Sequence, residues 1–166
     1  IVSEALRHID RRSTEHHITV DCGDVPLLIR VDARLIVQVL VNLVNNAIKY
    51  TPDGGTITVS LAKVGRDAVL DISDTGVGIP AESIPFLFNR FYRVETHHSS
   101  EIRGTGLGLS IVKRAVEAHD GAITVSSIPH RETVFTITIP LKRFREEKRI
   151  RQLSQVSIET SANKST

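Results

Sequence analysis

The sequence predicts a two-layer α/β sandwich, with a mixed, mostly antiparallel sheet covered on one face by helices. Two observations carry this. Two long segments repeat apolar residues at i, i+3, i+4 and i+7, the period of an amphipathic helix. Several shorter segments alternate apolar and polar residues and are joined by brief turns, as in hairpins.

In chain order, Val2, Ala5, Leu6 and Ile9 fall at helical spacing, and the polar RRSTEHH follows. HITVDC and LLIRVD read as two short strands. Ile18, Val20 and Cys22 alternate like an inward face, which makes Cys22 a core residue. Asp32 is placed to cap a helix running to about Tyr50, with Leu35, Ile36, Val39, Leu40, Leu43, Val44, Ala47 and Ile48 as its apolar face. PDGG at 52–55 ends that helix. TITVSLAKV and DAVLDISD, joined through GRD, form a hairpin.

AESIPFLFNRFYR supports at most a short helix. VETHHSSEIRGTG is polar and aperiodic, the longest loop of the domain and of the kind that serves as a lid. Leu107 to Ala118 reads as the second long helix, and GAITVSSI and TVFTITIPL as the closing strands. From Arg143 the chain is charged and then Ser/Thr-rich, a composition expected to be disordered. The expected division is a helical remnant at 1–17, one domain at 18–142 and a tail at 143–166.

At 166 residues the chain fits one domain with a real core. A net charge of +2, with no basic stripe interleaved with aromatics, argues against nucleic-acid binding. Cys22 is alone, so no disulfide forms within the chain and a reducing compartment is expected. No apolar stretch approaches the ~20 residues of a membrane-spanning helix. This piece is therefore expected to be soluble, which leaves a membrane-anchored parent open.

Three polar features interrupt the apolar elements. Asn42 and Asn46 lie four apart on one helix face, with Asn45 beside them and Lys49 close by. Amides and an ammonium suit phosphate and Mg²⁺, although amides capping neighbouring loops would look the same. Asp74 ends an apolar strand at DTGVGIP, where a buried carboxylate can accept from an exocyclic amine, and Gly76 and Gly78 permit close backbone approach to a flat ring. A tight turn is the alternative. Gly104, Gly106 and Gly108 precede a helix, where backbone amides form an anion site. Their spacing is neither that of a dinucleotide fingerprint nor that of a Walker A loop.

Taken together, NLVNNAIKYT, DTGVGIP, FNRFYR and GTGLGLSIVK resemble, in order and spacing, the N, G1, F and G2 boxes of the catalytic ATP-binding domain of bacterial sensor histidine kinases. That superfamily is shared with gyrase, Hsp90 and MutL, and its fold is the Bergerat type. The resemblance runs from about Ile18 to Leu141, and a potassium-responsive sensor kinase is one candidate for a nearer relative.

The resemblance implies that Asn46 ligates Mg²⁺, with Asn42 on the phosphate side. It implies that Lys49 contacts phosphate, that Tyr50 packs on adenine, and that Asp74 accepts from its amino group in a pocket shaped by Gly76 and Gly78. Arg93 would reach the γ-phosphate, while Gly104, Thr105, Gly106, Leu107 and Gly108 wrap the phosphates and Phe88 and Phe91 hinge and anchor the lid. Asn42, Lys49 and Arg93 are then the catalytic set. ATP and Mg²⁺ are implied as substrate and cofactor. The implied partners are an upstream dimerisation and phosphoacceptor domain and a downstream response regulator, at the cytoplasmic face of the bacterial inner membrane. The isolated fragment is expected to be monomeric.

Two departures matter. The third glycine box is replaced by SIPHRETVF, so adenine-side detail there is not carried over. No histidine among His8, His16, His17, His97, His98, His119 and His130 sits in a phosphoacceptor motif, so the chain is read as the ATP-handling half without its substrate. The paired histidines read as solvated rather than as a metal site. In the gyrase branch a glutamate stands where Asn42 is, and an amide cannot take a proton from water. Asn42 therefore favours kinase over ATPase. An ATP-driven conformational machine and a nucleotide-holding binding module are the rival classes.

Overall fold

The computed structural model describes residues 1–9, 15–23, 27, 29–94 and 105–141. Helix α1 spans Val2–Arg7, strand β1 His17–Asp21, helix α2 Ala33–Tyr50, strand β2 Thr56–Val64 and strand β3 Asp67–Asp74. A 3₁₀ segment, Ala81–Phe86, precedes helix α3 at Gly108–Glu117, and strands β4, Ala122–Ile128, and β5, Glu132–Pro140, complete the fold. The sheet runs β1-β2-β3-β5-β4, with β1 parallel to β2 and every other pair antiparallel.

Alternation decides which sheet face is covered. Ile57 and Val59 of β2, Ala68, Leu70 and Ile72 of β3, and Phe135, Ile137 and Ile139 of β5 are buried. All of these but Ala68 meet Ile36, Val39, Leu40, Leu43, Val44 and Ala47 of α2 and Val112, Ala115 and Val116 of α3 in one core. Truncating Leu40 or Leu43, each 1% exposed, to alanine costs about 2–5 kcal/mol. The opposite sheet face carries Thr58, Ser60, Asp71, Ser73, Thr136 and Thr138, and Thr136 Oγ1 donates to Asp71 Oδ1 at 2.5 Å. Such polar alternation is what a one-sided sheet requires.

Asp32 caps α2 as expected, its carboxylate accepting from the Arg34 and Leu35 amides. A residue not singled out by its surroundings then locks the two main helices together. The Asp32 N–H can only donate, so His119 Nε2 accepts from it at 2.9 Å. The ring proton is thereby placed on Nδ1, which donates to the Ala115 carbonyl at 2.6 Å.

Ala5, Leu6 and Ile9 join the same core, so the packing continues from the 18–142 segment into the first residues. Two local expectations differ. Of LLIRVD, the described residues 27 and 29–32 form no strand, and Ile29 and Val31 instead pack on the core outside the sheet. Cys22 is half-buried and Val20 is 43% exposed, because β1 is an edge strand whose inward row the helices cover incompletely. The tail at 143–166 lies outside the described residues.

Candidate functional site

The inward row of β3 reads Ala68, Leu70, Ile72 and then Asp74, all buried. The chain leaves the sheet there, and the carboxylate remains on the core side, directly opposite Thr133 of β5. Above these two residues lies the C-terminal end of α2, which presents Asn46, Lys49 and Tyr50. Arg93 and Thr105, which flank residues 95–104, and the start of α3 close the other side. The cavity is about 270 Å³, just below the usual range for small-molecule sites.

Burial pushes the Asp74 carboxyl from 3.8 up to about 6, against the Gly76 N–H that donates to Oδ1 at 2.9 Å. The buried Thr51 hydroxyl has no hydrogen-bond partner of good geometry, yet lies near enough to favour the ionised form. A charge kept in so apolar a wall is costly unless a donor arrives, which is what a ligand amine supplies.

The other end of the cavity is cationic. Burial, and then the Arg93 guanidinium, hold the Lys49 ammonium below its ordinary 10.5. Helix α3 begins with Leu107 as N-cap and no side-chain cap, its first amides lack helical acceptors, and Gly108 and Leu109 line the cavity. Two cations beside a helix N-terminus suit a polyanion.

Of the expected site residues, Asn46, Lys49, Tyr50, Asp74, Gly78, Arg93, Thr105, Gly106 and Gly108 line this cavity. Asn42, Gly76 and Leu107 are not in its lining. A Cβ built on Gly108 would lie 3.5 Å from Asn42 Oδ1, so that amide faces the start of α3. Gly104, His97 and His98 lie outside the described residues. Gly76 and Gly78 allow close approach to neighbouring backbone. A Cβ on Gly76 would sit 2.5 Å from the Tyr50 carbonyl, and one on Gly78, where φ is +69°, 2.5 Å from that of Ile128.

Phe88 is half-buried on the core, while Phe91 is 72% exposed and anchors through its backbone. It has φ +65° and donates its N–H to the Gly106 carbonyl at 2.9 Å, joining the chain on either side of residues 95–104. The stretch SIPHRETVF, which lacks the expected glycine, nevertheless buttresses the site. His130 takes φ +60° at the turn and donates its N–H to the Val77 carbonyl at 2.8 Å. Sequence reading missed Thr51, Ser127 and Thr133. A signal existed for Thr133, a hydroxyl in phase with the inward Phe135, Ile137 and Ile139.

This fold and site define a nucleotide-binding α/β domain. The family described as histidine kinase-, DNA gyrase B-, and HSP90-like ATPase matches residues 31–143, and the chain belongs to it. Sensor histidine kinase WalK of Bacillus subtilis is 41% identical over 84% of the chain, and adaptive-response sensory kinase SasA of Synechococcus elongatus 42% over 86%. Sensor protein KdpD of Clostridium acetobutylicum is 36% identical over 84%. These aligned stretches cover only 24%, 36% and 16% of the relatives' own lengths. Among solved structures, the mycobacterial sensor histidine kinase MprB aligns with a TM-score of 0.73 at 30% identity, covering 84% of this chain and 91% of that one. The catalytic domain of histidine kinase ThkA gives 0.72 at 27%, with the same coverage. The chain is thus a catalytic ATP-binding domain of the sensor histidine kinase type. Relatives of several names match at comparable identity, and a potassium-responsive member is not singled out.

Proposed function

We propose that this domain binds ATP with adenine at Asp74 and the triphosphate at Lys49, Arg93 and the start of α3, and passes the γ-phosphate to a histidine on a separate helical domain. The observation that carries this is one cavity with a buried carboxylate at one end and two cations at the other. In the transfer, a neutral imidazole nitrogen forms a bond to the γ-phosphorus while the bond to the β,γ-bridging oxygen breaks and ADP leaves. That nucleophile already has its lone pair, so positioning and charge neutralisation suffice, and Asn42 need not act as a base.

Tyr50, exposed at the cavity rim, packs on the adenine, and Gly78 and Thr105 to Gly108 line the nucleotide's path. Asn46 is a hard oxygen donor in the lining. No cluster of three His, Cys, Asp or Glu occurs among the described residues. The donor set therefore fits Mg²⁺ held jointly with phosphate oxygens and water rather than in a protein cage. Bound there, Mg²⁺ would neutralise charge on the phosphates.

The implied partners are an upstream dimerisation and phosphoacceptor domain and a response regulator, with the parent protein at the cytoplasmic face of the bacterial inner membrane. Among the described residues no helix is long and apolar enough to cross a membrane, so such anchoring would come from outside them.

The test is incubation with γ-labelled ATP and a separately supplied phosphoacceptor domain. Acid-labile, base-stable label on that domain supports the reading. Release of inorganic phosphate without protein label favours the ATPase machine, and binding without either product favours the binding module.

A further inference from the structure

We propose that Ser127 sets purine specificity by fixing the direction of the Thr133 hydroxyl, so that the cavity floor presents two acceptors side by side. The inference rests on the reading that Asp74 accepts from the adenine amine.

Ser127 Oγ has one proton. The Glu132 carbonyl, 2.8 Å away, can only accept and takes it. The Ile79 N–H, 2.9 Å away, can only donate and occupies a Ser127 lone pair. The remaining contact, 3.0 Å between Ser127 Oγ and Thr133 Oγ1, is then made with the Thr133 proton. Thr133 is 4% exposed, lines the cavity and is the register partner of Asp74. With its proton turned away, it offers the cavity lone pairs only.

Asp74 and Thr133 thus form an acceptor pair on adjacent strands, where facing side chains are neighbours. That floor suits an exocyclic amine and opposes the ring carbonyl that guanine and hypoxanthine carry at the same carbon, because two acceptors facing each other leave both unpaired. The wiring comes from the β4–β5 hairpin, where the third glycine box is missing, so that hairpin acts as a specificity element as well as a buttress. Ser127 itself is not in the cavity lining and acts as a positioning residue.

The test is calorimetric titration with ATP and with ITP, which carries a carbonyl in place of the amine at that carbon and an N–H in place of the adjacent acceptor nitrogen. The native chain should prefer ATP by about tenfold or more. Ser127→Ala should narrow the ratio about fivefold or more by freeing the Thr133 proton, and Ser127→Thr should restore it. Thr133→Val, which removes the opposing lone pairs in the same volume, should narrow the ratio independently and decides the matter if Ser127→Ala does not fold.

A ratio unchanged in the folded variants, even with both affinities lowered equally through the lost Ile79 bond, would overturn the proposal. Asp74→Asn separates the two layers. A ratio that moves with Asp74 but not with Ser127 or Thr133 defeats the relay alone. A native chain without preference, or a ratio insensitive to Asp74→Asn, defeats the adenine reading and the relay with it.

Discussion

The two ends of the cavity are built on opposite terms. At the β3 end, Asp74 is held by the Gly76 amide, Thr133 by Ser127, and the following loop by the Tyr50 carbonyl and the β4–β5 hairpin. At the α3 end, burial and then the Arg93 guanidinium disfavour the Lys49 ammonium, and the first α3 amides have no side-chain cap. One end is organised by hydrogen bonds within the protein, while the other gathers two cations beside a helix N-terminus. Base recognition and phosphate recognition should therefore fail separately.

The largest effect is expected at the organised end. Asp74→Asn replaces an acceptor with a group that also donates, and ATP affinity should fall about a hundredfold by calorimetry. Retained affinity would break the comparison. At the other end, Lys49→Ala and Arg93→Ala should each weaken ATP by about tenfold, the worth of a charge-assisted contact. Adenosine, which lacks phosphate, should bind these variants as it binds the native chain. A loss of adenosine binding would show that the ends are not independent.

The pH dependence sharpens this further. Adenine affinity should decline as pH falls through about 6, where Asp74 takes up a proton, and Asp74→Asn should flatten the profile. The unliganded fold should respond with the opposite sign. The folded carboxyl keeps its proton to about 6 and the unfolded one only to 3.8, so the folded state holds more protons in that window. Its stability should drop as pH rises between those values and level off above them, as chemical denaturation at stepped pH would reveal.

The smallest effects lie away from the cavity. Asp32→Ala should cost about 1 kcal/mol in thermal unfolding through the lost α2 cap and leave nucleotide binding unchanged. His130→Gly should relieve a left-handed side chain worth about 1 kcal/mol. A changed Kd there would show that the hairpin turn, and not only Ser127, shapes the adenine end.

What could be read from the sequence was whatever depends on one element's own period. Helix α2, its cap, the β2–β3 hairpin and Asp74 at the end of an apolar row all follow from spacing within a few residues. What could not be read depends on which elements become neighbours. LLIRVD alternates like a strand, yet Ile29 and Val31 pack on the core outside the sheet. Ile18, Val20 and Cys22 alternate as a core row should, but at an edge the helices only partly cover. The glycines of DTGVGIP were legible as close-approach positions, whereas the object approached, a carbonyl of α2 or of β4, was not. The direction of the Thr133 proton depends on three separate loops and strands, so no local pattern holds it.

The most direct measurement is calorimetric titration of the native chain with ATP and with GTP in the presence of Mg²⁺. Saturable ATP binding with GTP about tenfold weaker or worse is the predicted result, since a carbonyl then faces the Asp74 carboxylate. Equal affinity for the two nucleotides, or no binding of either, would contradict a cavity that reads adenine at one end and phosphate at the other.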